Sequence, residues 1–271
     1  MASQPRAPST APRANRQRLV QSVQRAMDML ECVATEPTGM SLSQISGHVR
    51  LHPSTAHRIL ATLAAGGHVS RDPASRTYRL GPSLVSLGEA ARAQAGTTPQ
   101  IRAILAYLAQ QCGELANFAA LDGMMAAYVA QAQPTPGPVT IFTRMGTRVP
   151  LHCTGVGKAM LAFLPDGFSQ ALIDAGLKRY TSSTIVSAIQ LVTELEGIRH
   201  DGYAIDNEEY EVGVRCVASP LRDRGGGVIG AISVSGPSTR MSPDRLPSLA
   251  KLVREAATAA WPQANSRPSG E

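Results

Sequence analysis

Four groups of residues in this sequence have the types and spacing to do chemistry. Thr154-Gly155-Val156-Gly157 reads as the opening of a helix, where backbone N–H groups converge on an anion and glycine lets a ligand approach the backbone closely. Tight helix–strand packing would use Gly155 equally well. Ser233 and Ser235 alternate along one predicted strand and so share a face, from which both hydroxyls can donate to a carboxylate. Asp206, Glu208, Glu209 and Glu211 form an acidic run; without paired histidines it reads as a solvated loop rather than a metal site. Cys153 or Cys216, with His152 or His200 as base, would be the makings of a cysteine-dependent hydrolase acting on a small molecule. Against that, adjacent residues on an extended segment point to opposite faces, which separates His152 from Cys153. No GxSxG, HExxH or phosphate-loop pattern occurs either.

A second kind of chemistry concentrates in the first third of the chain. Residues 1–80 hold ten arginines and no lysine against four acids, whereas the remaining 191 residues balance sixteen basic and sixteen acidic groups. The whole net charge of +6 therefore sits at one end, the electrostatic footprint of a phosphate-contacting module on a neutral body. The four cysteines, Cys32, Cys112, Cys153 and Cys216, are widely spaced with no CxxC pair, which excludes a cysteine-rich zinc module and a disulfide scaffold. No apolar run approaches the roughly 18–20 residues of a membrane span. The arginine-bearing N-terminus lacks an apolar signal core, so a cytoplasmic protein without membrane contact is expected.

The elements that must position these residues follow from periodicity and capping. Residues 1–17, rich in Pro, Ala, Ser and Arg, read as a disordered basic arm. Val23, Met27, Leu30, Val33 and Ala34 recur at helical spacing, giving a first amphipathic helix that stops near Pro37. Ser41 and Gln44 stand in capping-box register before a short helix carrying Leu42, Ile45 and Val49. Pro53 opens a third helix that ends at Gly66-Gly67. His68–Arg71 and Arg76–Leu80 alternate around Asp72-Pro73-Ala74-Ser75 as a hairpin. Three helices followed by a basic hairpin make a winged helix. A connecting helix begins near Leu84 and breaks at Gly96–Pro99, and another carries Ile101, Ile104, Leu105 and Leu108. Strands are expected at Asn117–Leu121, Met124–Ala130, Val139–Phe142, Tyr203–Asp206, Arg215–Leu221 and Val228–Ser235. Helices fall at Gly155–Phe163, Ser187–His200 and Pro243–Ala260. Hairpins with helices at the side indicate an α+β sheet domain.

The segments Ser54-Thr55-Ala56-His57-Arg58-Ile59-Leu60, Tyr78-Arg79-Leu80-Gly81, Leu151–Ala159, Gly202–Tyr210, Gly213–Ala218 and Ala231–Pro237 together resemble the IclR (isocitrate lyase regulator) family of transcription factors. The likeness runs from about Leu19 to Trp261. It implies a GAF-like effector domain, dimers or dimers of dimers on DNA, and control by a small organic ligand in a pocket lined by positions matching Gly155, Val156, Asp206, Cys216, Ser233 and Ser235. Three departures stand out: His52 where the family often has Pro, Cys153 where a smaller residue is common, and the rigid composition of Thr135-Pro136-Gly137-Pro138.

The fold class expected is α+β, an N-terminal winged helix-turn-helix joined by a helix to a GAF-like α/β effector-binding domain. The boundaries are 1–17 (arm), 18–81 (DNA-binding), 82–98 (linker helix), 99–262 (effector-binding) and 263–271 (disordered tail). The function expected is a sequence-specific regulator, a repressor in the first instance, although activators share the architecture. Its operator binding would answer to a carboxylate-bearing organic effector. Ser54, Thr55, His57 and Arg58 would face the major groove. There Arg58 could contact guanine in bidentate fashion or hold a phosphate, and Ser54 could serve simply as a helix cap. Arg71, Arg76 and Arg79 on the hairpin would meet phosphate or the minor groove, and Arg13, Arg16 and Arg18 of the arm resemble minor-groove arms of other folds. Asp206 would accept from a ligand hydroxyl or order a water, and Cys216 would form a soft wall. Phe118, Tyr128, Phe142 and Met145 are candidates for apolar cover or for core. The partners expected are a double-stranded operator, a small organic acid and a second or fourth copy of the chain, with no cofactor, metal or catalytic residue. An architectural DNA-binder without a ligand would leave the neutral domain of some 170 residues unexplained.

Overall fold

A three-helix core with a short hairpin opens the chain, and a six-stranded sheet with helices on both faces follows. The computed structural model describes residues 20–134, 144–223 and 225–260. The expected arm with Arg13, Arg16 and Arg18, the tail, the strand at Val139–Phe142 and the Thr135–Pro138 loop lie outside those residues. The chain divides into two units between Glu89 and Ala90.

In the first unit, α1 (Gln21–Ala34), α2 (Leu42–His48) and α3 (Pro53–Ala65) enclose Met29, Cys32, Val33, Ile45, Ala56 and Leu60. Complete burial of Ile45 and Leu60 is worth about 1.5–3 kcal/mol each. The capping box forms as the spacing requires: Gln44 N–H donates to Ser41 Oγ at 3.4 Å and Ser41 N–H to Gln44 Oε1 at 2.8 Å. Strands β1 (Val69–Arg71) and β2 (Tyr78–Leu80) pair antiparallel with Arg71 opposite Tyr78. Asp72 Oδ1 accepts from the Ala74 and Ser75 N–H groups to close the turn. These backbone bonds hold the Asp72 carboxyl below its ordinary range.

The inward face of α1 differs in part from the expectation. The core takes Met29, Cys32 and Val33, while Val23 and Met27 are more than half exposed and Ala34 is exposed. Of the expected residues Val33 joins the core and Leu30 packs against it; apolar residues occur on both sides of this helix, and periodicity alone did not separate the outer Val23 and Met27 from them. Helix α4 (Ser83–Gln94) spans the division between the units and buries none of its residues.

The second unit is built on a wholly antiparallel sheet of order β5-β4-β3-β8-β7-β6. Its strands are β3 (Leu115–Asp122), β4 (Met125–Ala132), β5 (Arg148–Pro150), β6 (Ala204–Asn207), β7 (Val214–Arg222) and β8 (Val228–Pro237). Helices α5 (Pro99–Cys112) and α9 (Leu246–Ala260) cover one face, burying Phe118, Val217, Ile232 and Val234. The other face carries α6 (Gly155–Leu161), α7 (Asp166–Ala175) and α8 (Ala188–Asp201) over Ala119, Tyr128, Cys216, Ala218 and Ala231. Period-2 alternation on β7 and β8 splits their side chains between two cores. The sequence reading omitted α7 and β5. The three residues of β5 are too few to show a period.

Candidate effector site and DNA-reading surface

Register places a row of polar residues on the sheet face beneath α6. Asp206 pairs with Cys216, Cys216 with Ser235, and Ser233 with both Ala218 and Asn117. Directly paired residues share a face, so Asp206, Cys216, Ser235, Ser233 and Asn117 converge there, all buried. Asn117 Nδ2 donates to Ser235 Oγ at 3.0 Å. Ser233 Oγ is buried and makes no hydrogen bond of ordinary geometry, although the Cys216 thiol lies close enough to feel it. A buried hydroxyl left in this state costs about 1–3 kcal/mol unless a ligand or water meets it.

Gly155 and Gly157 let α6 sit on that face. A Cβ at Gly155 would stand 2.8 Å from Cys216 Sγ, and one at Gly157 would stand 2.5 Å from Leu151 Cα. Both glycines are therefore demanded by packing. The cap of α6 is Thr154, whose Oγ1 accepts from Gly157 N–H at 3.2 Å and donates to Pro150 O at 2.7 Å. The Val156 N–H acts on the Cys216 thiol. The helix-opening N–H groups expected to meet an anion are thus partly engaged by the chain itself.

The acidic run is not a solvated loop. Asp206 and Glu209 are buried, and Glu209 N–H donates to Asp206 Oδ1 at 2.7 Å. Glu208, in the left-handed region at φ 61°, turns outward, accepting from Gly213 N–H at 2.8 Å and pairing with Arg215 at 3.2 Å. Glu209 enters an ion triad: Lys158 Nζ, only 1% exposed, donates to Glu209 Oε1 at 2.6 Å and to Glu194 Oε1 at 2.7 Å. Burial alone would depress the Lys158 ammonium, but the two carboxylates outweigh it and hold its pKa above the ordinary value. Glu209 Oε2 is buried without a hydrogen-bond partner, and burial raises this carboxyl against the pull of Lys158.

Burial likewise pushes the Asp206 carboxyl up to about 7, with Glu209 adding to the rise, against the Glu209 and Tyr210 N–H groups and Lys158. Cys153 and Cys216 are each pushed by burial up to about 12, so neither is a thiolate nucleophile. His152 faces away from both roles: its Nε2 lies 3.0 Å from Lys178 O, and burial lowers its pKa. His200 is exposed beside Asp201. These cysteines and histidines form no hydrolytic constellation among the described residues. Among the described residues no group of three potential metal ligands occurs, and no helix is long and apolar enough to cross a membrane.

Of the aromatic candidates, Tyr128 is buried on this face and Phe118 packs into the opposite core. Met145 is exposed, and Phe142 lies outside the described residues. Sequence reasoning passed over Lys158 and Glu194. The signal available was a lone lysine inside Val156–Ala162, otherwise wholly small or apolar.

In the first unit, the N-cap of α3 is His52. Its Nδ1 accepts from Ser54 N–H at 3.4 Å and lies 2.8 Å from Ser54 Oγ. Ser54 is thus not the cap; His52 supplies it. Ser54, His57 and Arg58 are exposed and Thr55 is half-buried. On the hairpin Arg71, Arg76 and Arg79 are exposed. The Arg71 guanidinium lies 5.6 Å over the Tyr78 ring, and Arg79 Nε donates to Thr38 O at 3.1 Å.

Comparison with known proteins follows the same division. The IclR helix-turn-helix domain matches residues 22–73, and the bacterial transcriptional regulator IclR C-terminal domain matches residues 95–260. The HTH-type transcriptional regulator BhcR of Paracoccus denitrificans is 37% identical over 239 residues, spanning 88% of this chain and 85% of BhcR. The HTH-type transcriptional repressor AllR of Escherichia coli is 32% identical over 242 residues, spanning 89% of each. Among solved structures, the Thermotoga maritima IclR superposes with a TM-score of 0.76 at 26% identity, over 88% of this chain and 96% of that one. An IclR homolog of Microbacterium hydrocarbonoxydans complexed with 4-hydroxybenzoate shares the fold, with a TM-score of 0.69 at 22% identity over 88% and 96%.

Proposed function

The chain belongs to the IclR family of transcriptional regulators, and we propose that it is a repressor whose grip on its operator is controlled by a small carboxylate-bearing effector. It is a DNA-binding regulator and not an enzyme. The observation that carries the effector reading is the buried polar row of Asn117, Ser233, Ser235, Cys216 and Asp206 beneath α6, with the Ser233 hydroxyl unsatisfied. Gly155 and Val156 form the ceiling of that site. A relative named as a repressor and a homolog that holds 4-hydroxybenzoate support the direction of control and the class of ligand.

On the DNA side, Ser54, Thr55, His57 and Arg58 meet the major groove, with Arg58 reading a base, while Arg71, Arg76 and Arg79 hold phosphates. The active species is a homodimer or homotetramer. The exposed Val23 and Met27 on α1, with Val20 at its N-cap, lie at the spacing of one helix face and suit a second copy of the chain. Effector binding shifts the population away from the operator-competent state, which requires unequal affinity for the two states.

The test is a gel shift on the chain's own upstream region, with and without small carboxylic acids. Effector should release the operator. Arg58→Ala should change sequence preference, while Arg76→Ala should weaken all sequences alike and reduce the salt slope by about 0.9. A chain that prefers no double-stranded site, or an operator complex indifferent to every acid, refutes the corresponding half.

A further inference from the structure

The effector site buries more negative charge than positive. Its carboxylates are Asp206 and Glu209, with Glu194 at the edge, and the cation acting on them is Lys158. That ammonium is already divided between Glu194 and Glu209 at 2.7 and 2.6 Å, so it has little to offer an incoming anion. Placing a second unpaired carboxylate beside an ionised Asp206, both out of water, is strongly unfavourable. Two carboxyl groups sharing a site avoid that cost by sharing a proton.

Resting on the effector reading above, we propose that the site takes a small monocarboxylate together with one proton, which resides on Asp206 so that its carboxyl group donates to the ligand's carboxylate. The ligand arrives as its anion, solvent supplies the proton, and the pair leaves the charge of the site unchanged. A dicarboxylate would bring a second charge that nothing there neutralises. The remaining donors are neutral. Ser233 has no ordinary partner, Ser235 accepts from Asn117 and keeps its own proton to give, and the Tyr128 hydroxyl is buried on the same face.

Of the groups packed together here, burial brings the Asp206 carboxyl itself to about 7. From β4 comes Tyr128, whose phenol burial holds well above its ordinary value. Cys216 on β7 and Cys153 ahead of α6 are both held at about 12. Lys158 of α6 stays charged, with Glu194 of α8 behind it. Glu209 and Tyr210 follow β6, and Glu209 is bound to Lys158. The Asp206 carboxyl, raised to about 7, lies far closer to neutrality than an ordinary aspartate.

Calorimetry on the full chain decides the matter. The probes are 4-hydroxybenzoate and a panel of small monocarboxylates, each beside its primary amide and a matched dicarboxylate, in two buffers of different ionisation enthalpy. Proton uptake on monocarboxylate binding should approach one at about pH 8 and fall toward zero at about pH 6, with Kd flat in acid and rising about tenfold for each pH unit above 7. In Asp206→Asn that slope should vanish. Carboxylate binding with no proton uptake overturns the inference, and so does a slope that survives in Asp206→Asn, which would assign it to Glu209. Tighter binding of the dicarboxylate also overturns it. If the variant does not fold, the wild-type buffer comparison decides alone. Operator binding with no response to any carboxylate overturns the effector reading itself, a failure distinguishable from the others.

Discussion

Replacing Asp206 by asparagine should change how stability depends on pH, and the size of the change can be worked from its surroundings. The side chain is 6% exposed and its pKa lies at about 7, against 3.8 for an ordinary aspartate, chiefly because burial penalises the charge. At roughly 1.4 kcal/mol for each tenfold change, that difference corresponds to about 4 kcal/mol. The folded-state pKa is raised, so below about pH 4 both states are protonated and no penalty exists. Between pH 4 and pH 7 the folded state holds the extra proton, and stability falls as pH rises. Above about pH 7 the penalty is fully present. Asparagine keeps an oxygen to accept from Glu209 N–H and carries no charge, but its NH2 suits the Tyr210 N–H poorly, an offset of about 1–2 kcal/mol. The variant should thus be close to wild type at about pH 5 and more stable by about 2–3 kcal/mol at about pH 8. Urea unfolding followed by circular dichroism across that range measures both. Two profiles that run parallel, whatever their offset, would show that Asp206 carries no buried charge, and the reasoning about its environment would fail.

Three further outcomes test the packing. Lys158→Met leaves Glu209 buried without its cation and should cost about 3 kcal/mol, more at higher pH because the orphaned carboxylate is then ionised; denaturant midpoints against pH check it. Gly157→Ala presses a Cβ on Leu151 backbone atoms at 2.5 and 2.6 Å and should cost about 3 kcal/mol, whereas Gly155→Ala meets the Cys216 thiol and should recover part of its smaller loss when combined with Cys216→Ala. Arg50, exposed at φ 53° in the turn between α2 and α3, should tolerate Arg50→Gly with a gain of about 1 kcal/mol; a loss of stability in thermal unfolding would point to a tertiary role for its side chain.

What the sequence disclosed and what it hid divide along a physical line. Local signals were legible: Ser41 with Gln44, Pro53 at a helix start, Gly66-Gly67 at its end, and Asp72 in the hairpin turn each act within a few residues. The row from Asp206 to Ser235 was legible only through family likeness, because strand alternation says which residues share a side but not which strands lie together. β6 reaches β8 through β7, and β3 pairs with β8 across more than a hundred residues. The Lys158 triad was hidden for the same reason, since its members are 36 and 51 positions apart. The outer stripe of α1 misled because Val23 and Met27 obey helical spacing as well as Met29 and Val33 do. Periodicity identifies an apolar face without saying whether this chain or another copy covers it.

The placement of Lys158 suggests why a closed site can still report a ligand. α6 carries, within seven residues, the glycine ceiling of the proposed effector site and the lysine that ties it to α8 and to the loop after β6. A ligand that changes the charge on Asp206 acts on Glu209, which donates its N–H to Asp206 and accepts from Lys158. On the proposed proton-coupled binding the total charge of the site is unchanged, but a protonated Asp206 pulls less strongly on that N–H, and this alters the setting of the Glu209–Lys158 pair. If an effector binds there as proposed, its differential affinity would be expressed through a buried ion pair, where a small displacement of charge carries more energy than the same displacement would in water.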